Sequence, residues 1–206
     1  MSFGFLIYPG VEELDFQGPW EMVGMWHKYA DGPAPCLVAR NLDPVRCAHG
    51  MRVLPDVDFA GASQLNQLLI PGGFAAFEEM KRPDVCNFVQ RHAQAGTTLM
   101  SVCSGSFILL GANVLSGRRA CTNWKVIDKL RQAGIEVVEE RYTRDGSVWT
   151  SAGVSAGMDM LLAYIAFTQG EDVASSVQLH AEYFPEGRIY GHHRKAQPVP
   201  TYIARA

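Results

Sequence analysis

A repeated alternation constrains this chain most: short apolar runs, each closed by a sharp turn, separate stretches with helical apolar spacing. Phe3–Tyr8 is an apolar run ended by Pro9-Gly10, and Gln67–Ile70 is another, ended by Pro71-Gly72-Gly73. Cys36–Ala39 and Thr97–Val102 are strand-like too, while Met51–Pro55 is a weaker candidate. Apolar runs of this length, bounded by Gly and Pro, read as strands buried on both faces. Between them, Glu12–Tyr29, the stretch up to Ala95 with a break at Pro83, and Asn123–Ala133 have helical spacing. The regular part of the first helix is expected to begin near Pro19, because proline suits a first turn. Tyr142–Trp149 reads as a hairpin turning at Asp145-Gly146, and Gly157–Phe167 and Val173–Glu182 as the last helices.

Strands alternating with helices over short connections imply a mostly parallel sheet covered on both faces. The expected fold class is therefore α/β: a flavodoxin-like, doubly wound sheet with an added antiparallel hairpin. The length of 206 residues suits one domain, expected over residues 1–190, with an irregular tail over 191–206. A formal charge of −3 offers no electrostatic reason to bind nucleic acid. No run is apolar for long enough to span a bilayer, and the N-terminus lacks the basic region of a signal peptide. The five cysteines, Cys36, Cys47, Cys86, Cys103 and Cys121, are widely spaced without a C-x-x-C pair. That pattern opposes a disulfide framework or a zinc site and favours a reducing, cytoplasmic setting.

In open α/β sheets ligands bind beyond the carboxyl ends of the strands. At that edge Asp15 follows the first strand, Gly72-Gly73 ends another, and Cys103 follows the next. Cys103 stands between an apolar strand and an apolar helix, with Ser104-Gly105-Ser106 allowing a sharp turn, as in a nucleophile elbow. A helix N-terminus behind the sulfur would favour thiolate. Asp15, flanked by Leu14 and Phe16, is either a helix cap or a partly desolvated acid that can deliver a proton. Gly72 and Gly73 either make a tight turn or offer N–H groups to developing negative charge. Ser104 could orient substrate or cap its helix. Trp20, close to Asp15, is a candidate pocket wall. His180 and the His192-His193 pair read as surface residues.

The segments Leu14–Pro19, Ile70–Gly73, Ser101–Ser106, Gly117–Trp124 and Thr150–Asp159 resemble the DJ-1/PfpI superfamily, in register from Phe3 to about Tyr183. Within it they are most similar to isocyanide hydratases and to the amidotransferase-like domains of AraC-type regulators. Asp at position 15, where many relatives carry Glu, points to the hydratase branch. The resemblance implies a Cys103 nucleophile partnered by Asp15, with Ser104, Gly72, Gly73, Asn123 and Trp20 around the substrate. It also implies no cofactor, no metal and a homodimer; the Trp20–Trp26 helix and the Trp149 hairpin are candidate contact surfaces. Two departures stand out. Asn123 takes the place of a histidine before Trp124, so a Cys-His pair is missing there. Ser104 replaces the threonine of the hydratase pattern.

The expected function is cofactor-independent hydration of an isocyanide or similar small electrophile to a formamide. The competing readings are a redox or ligand sensor, and an amidase- or glyoxalase-like activity. The chain runs only a short way past Tyr190, which leaves no room for an AraC-type helix-turn-helix pair and sets the expectation of no nucleic-acid partner.

Overall fold

The computed structural model describes residues 2–62 and 64–185, together with Tyr202. The His192-His193 pair and, apart from Tyr202, the expected tail therefore lie outside the described residues. The main sheet has seven strands. They are β1 (Ser2–Leu6), β2 (Ala34–Ala39), β5 (Val57–Asp58), β6 (Gln67–Ile70), β7 (Thr98–Val102), β10 (Tyr142–Asp145) and β11 (Val148–Ser151). Two short side pairs complete the set: β3 (Val45–Arg46) with β4 (Arg52–Val53), and β8 (Arg119–Ala120) with β9 (Glu136–Val137). The helices are α1 (Glu13–Tyr29), α2 (Ala76–Glu79), α3 (Pro83–Gln94), α4 (Gly105–Gly111), α5 (Ile127–Gln132), α6 (Ala156–Gln169) and α7 (Glu171–His180).

The strand order is β10-β11-β7-β6-β1-β2-β5. Every pair in it is parallel except the β10–β11 hairpin. α1, α6 and α7 pack together, and α4 packs with α2 and α3. The expected doubly wound α/β sheet with its hairpin is thus the observed fold. The central strands carry a core of Phe3, Phe5, Leu68, Leu69, Leu99 and Met100, all buried. Covering both faces of the sheet requires near-continuous apolar runs, which is the pattern seen in β1, β6 and β7.

Three expectations are corrected. The first helix does not wait for Pro19: it runs unbroken from Glu13 to Tyr29 with Pro19 inside it. Pro19 cannot donate to the Asp15 carbonyl, yet the helix continues because Gly18 and Pro19 press against α6. A Cβ on Gly18 would lie 2.9 Å from Met158 Cγ, and one on Gly157 would lie 2.8 Å from Pro19 Cγ. Packing overrides the local break. Next, Met51–Pro55 contributes only Arg52–Val53, and to a side pair, while the unforeseen Val57–Asp58 supplies the sheet edge. Lastly, Trp26 and Trp149 are buried within the fold, both edge-on to Tyr164 of α6. Both are core residues, so any contact made by that helix or hairpin would fall to their other side chains.

From β1 the chain moves outward to β2 and β5, then returns to β6 on the other side of β1. The crevice at this reversal, beyond the ends of β1, β6 and β7, is where such folds bind ligands. Its geometry depends on Gly105, the first residue of α4. A Cβ there would lie 2.1 Å from the Ile70 carbonyl oxygen and 2.8 Å from that of Pro71. Both obstacles are backbone and cannot swing aside. Gly105→Ala is expected to destabilise the protein by about 1–3 kcal/mol, the usual cost of overpacking. Urea unfolding measures this, and an unchanged midpoint would contradict the packing described.

Candidate active site

Cys103 is the residue between β7 and α4, and its φ of 58° places a non-glycine residue in the left-handed region. Such backbone persists only where the surroundings over-determine it. Here the Cys103 N–H donates to the Ala152 carbonyl at 3.0 Å. Its own carbonyl accepts the Thr122 hydroxyl at 3.0 Å, and Ser106 Oγ lies 2.9 Å from Thr122 Oγ1 and 3.3 Å from the same carbonyl. All three groups are buried. The turn aims the sulfur into a cleft of about 200 Å³, where its neighbours include Glu12, Gly73, Phe74, Asn123 and Val154.

Asp15 lies in the first turn of α1, and Glu12 occupies the N-cap position, so Asp15 is not the cap. Its side chain is wholly buried. Oδ2 accepts the Gly72 N–H at 2.8 Å, while Oδ1 has no hydrogen-bond partner among the described residues. Burial pushes the carboxyl up to about 7, with the charge of Glu12 acting in the same direction. The Gly72 N–H opposes that shift most, and the Cys103 side chain and the Val154 amide add to the opposition. An acid that titrates near neutrality beside a nucleophile is suited to moving protons.

The sulfur behaves differently from the sequence expectation. Burial, reinforced by the Asp15 charge, pushes the Cys103 thiol up to about 12. The Ser104 N–H and the side chains of Asn123 and Ser104 draw it down, but by less. The turn at a helix N-terminus therefore does not by itself make a thiolate. Cys121 is likewise pushed to about 12 and Cys47 to about 11, mainly by burial. Acidity does not single out Cys103; its place in the cleft does. Burial raises both groups, and Asp15 and Cys103 form a coupled pair whose titration belongs to the two together.

Gly72 and Gly73 stand beside this pair, but their N–H groups are already engaged. Gly72 donates to Asp15. Gly73 donates to Ser104 Oγ at 3.0 Å, and the same hydroxyl lies 2.9 Å from the Gly73 carbonyl. Ser104 thus fastens the glycine turn while itself lining the cleft, and both glycine amides are engaged. The Tyr8 hydroxyl holds this turn from below, at 2.7 Å from the Pro71 carbonyl and 2.9 Å from that of Gly72. A side chain on Gly72 would lie 2.6 Å from the Ser104 nitrogen and 3.0 Å from Asp15 Oδ2. The absence of a Cβ is what lets the two halves of the site meet.

Asn123 does reach the sulfur. Its Oδ1 accepts the Lys125 N–H at 3.0 Å, which leaves Nδ2 as the donor on the other side. Nδ2 is so near the following loop that a Cβ on Gly153 would lie 2.4 Å from it. The residue that stands in place of a histidine presents an amide that draws the Cys103 thiol down. Trp20 does not line the cleft; it packs on Phe5 at 5.3 Å between ring centroids. His180 is exposed on α7 and stacked on Tyr29, and no histidine lines the cleft among the described residues.

Sequence reasoning passed over Val154, Glu12 and the Thr122 hydroxyl. Val154 has φ 51°, an unfavourable backbone for a β-branched residue. Its loop is propped by Arg141, whose carbonyl accepts the Ala152 N–H at 2.8 Å and whose guanidinium reaches Ser155 Oγ at 3.3 Å and pairs with Asp159. Nothing in the sequence announces a valine there. Ser106 was visible as part of the small-residue run, but its alliance with Thr122 was not.

Comparison with known proteins places this geometry. Residues 1–167 match the model of the DJ-1/PfpI family. The chain is 32% identical to the isonitrile hydratase of Pseudomonas putida, over 90% of this chain and 79% of that protein. It is 28% identical to the HTH-type transcriptional regulator CdhR of Pseudomonas aeruginosa, but spans only 60% of that regulator's length. Among solved structures, a THiJ/PfpI family protein from Pseudomonas syringae superposes with a TM-score of 0.87 at 30% identity, covering 99% of this chain and 84% of that one. Drosophila melanogaster DJ-1beta shares the fold at a TM-score of 0.80 and 17% identity, over 89% of this chain and 98% of that one. The chain with Cys103 on its strained turn belongs to the DJ-1/PfpI family.

Proposed function

We propose that this protein is a cofactor-independent hydratase that converts a small isocyanide, or a similar electrophile, to an N-substituted formamide. The observation that carries the reading is the buried Asp15 carboxyl, with one unpartnered oxygen, beside a cysteine whose cleft has no histidine among its described residues. A Cys-His mechanism has no base here, whereas a Cys-Asp mechanism has both of its parts. Similarity to the Pseudomonas putida isonitrile hydratase supports the same reading.

In the resting pair of this mechanism one proton is shared between the two acids and sits on sulfur. As Cys103 Sγ bonds to the terminal carbon of R–N≡C, Asp15 takes the thiol proton and delivers it to that carbon. The product is the thioimidate R–N=CH–S–Cys103. Water then adds to the same carbon, a proton passes to nitrogen, and the carbon–sulfur bond breaks. R–NH–CHO leaves, and the sulfur regains its proton. The sum is isocyanide plus water to formamide, with no oxidant or reductant. The Asn123 amide and the Ser104 N–H stabilise charge on sulfur while the bond forms and breaks.

The second reading, a ligand or redox sensor, draws on the likeness to CdhR. Peroxide sensing needs an exposed thiolate. A buried sulfur pushed up to about 12 opposes that form of the sensor reading.

The decisive assay is a panel of isocyanides, amides and 2-oxoaldehydes. Formamide is expected from an isocyanide with the wild type and not with Cys103→Ala; turnover of only amides or oxoaldehydes would overturn the reading. A pH profile tests the role of Asp15. Below about 7 the carboxyl is protonated and cannot accept the thiol proton, so kcat/KM is expected to rise with pH through about 7. In Asp15→Asn that limb should vanish and turnover fall by about 10²–10⁴-fold. A folded Asp15→Asn protein with near-normal activity would remove Asp15 from the mechanism.

A further inference from the structure

Phe74 directly follows Gly73 and is 89% exposed, more than any other large apolar residue exposed among the described residues. A lone exposed aromatic is ordinary. This one stands on the rim of the cleft that holds Cys103, and the wall below it is apolar: Phe77, Val126 and Val154. The wall is built rather than loose. Phe77 packs on Phe107 at 4.7 Å between ring centroids, and Lys129 Nζ lies 5.0 Å over its ring. The rim is fixed as well, because both backbone groups of Gly73 meet Ser104 Oγ and the Ala76 N–H donates to the Gly73 carbonyl at 3.1 Å. The lining carries one charge of each sign, Glu12 and Lys125, with Asp15 behind it, and the Lys125 ammonium lies 5.5 Å over the Trp124 ring; the apolar wall is what the cleft offers a substituent.

We propose that Phe74 and Phe77 form an apolar subsite that receives an uncharged, flat or aliphatic substituent of the electrophile whose reactive atom meets Cys103. The cleft volume of about 200 Å³ suits a substituent of roughly one ring. The subsite deepens the hydratase reading by naming the substituent class, and it rests on that reading for the reactive end only. Its test is independent of isocyanide chemistry.

The probes are N-phenylmaleimide, N-methylmaleimide and an N-carboxyalkyl maleimide, with labelling of Cys103 followed by peptide mapping at mildly alkaline pH. Maleimide addition draws on the thiolate, a requirement all three probes share, so the ratio of their rates reports the subsite. In the wild type Cys103 is expected to react fastest with the phenyl probe and slowest with the carboxylate. In Phe74→Ala the phenyl-to-methyl rate ratio should fall about five- to tenfold, the scale of one aromatic contact, and Phe74→Leu should retain part of it. An unchanged ratio in Phe74→Ala, or a wild-type Cys103 that the methyl probe labels as fast as the phenyl probe, would overturn the subsite. A change of oligomeric state in Phe74→Ala by light scattering, without a change in the ratio, would assign the residue to a contact between copies and overturn it equally. If the probes discriminate as expected and no isocyanide is hydrated, the subsite stands and the hydratase reading fails.

Discussion

The left-handed backbone of Cys103 is the constraint on which the rest of the site depends. A residue with a Cβ is held at φ 58° by the Ala152 carbonyl on one side and the Thr122 and Ser106 hydroxyls on the other. That arrangement projects the sulfur beyond the sheet edge while the strand and helix beneath stay packed. Each holding group comes from a different part of the chain: the loop after β11, the loop after β8, and α4 itself. The core therefore fixes the position of the sulfur. Strain of about 1–3 kcal/mol per residue is met twice across the cleft, at Cys103 and at Val154.

Asp15 shows the same ordering of priorities in electrostatic terms. A carboxyl with a folded pKa raised to about 7 favours the fold when protonated. Its contribution is lost as pH rises from the ordinary carboxylate range through about 7, because the unfolded chain ionises more readily. At neutral pH the protein thus bears a buried acid that an apolar residue would replace at lower cost. The Gly72 N–H offsets part of that cost and Glu12 adds to it. Placed beside a thiol pushed up to about 12, the acid becomes the group that changes protonation near neutrality. The pair, and neither residue alone, is the chemical unit.

Much of this was legible in the chain. Buried parallel strands need uninterrupted apolar residues, so β1, β6 and β7 could be read directly, and with them the doubly wound class. The convergence of Asp15, Gly72-Gly73 and Cys103 followed from the rule that ligands bind at strand carboxyl ends. What escaped was set by packing between distant segments. Pro19 reads as a helix start, yet α6 holds the helix through it. The Trp20–Trp26 helix and the Trp149 hairpin read as candidate contact surfaces, yet Trp26 and Trp149 themselves meet Tyr164 in the core. The glycines read either as a tight turn or as donors to negative charge, and their amides are already used by Asp15 and Ser104. Asn123 read as standing near the substrate in place of a histidine, and its bond to the Lys125 N–H leaves Nδ2 as its donor side. No single-residue signal carries such pairings.

The central claim is that the doubly protonated pair loses its first proton from Asp15, so that at rest the one proton left is held on the Cys103 sulfur. Infrared difference spectroscopy across a pH titration tests it, following the S–H stretch of Cys103 and the protonated C=O stretch of Asp15, assigned with Cys103→Ala and Asp15→Asn. The account predicts that the carboxylic-acid band disappears near pH 7 while the S–H band persists well above it. Loss of the S–H band near neutrality with the carboxylic-acid band retained would contradict it, and would make Cys103 a resting thiolate beside a neutral acid.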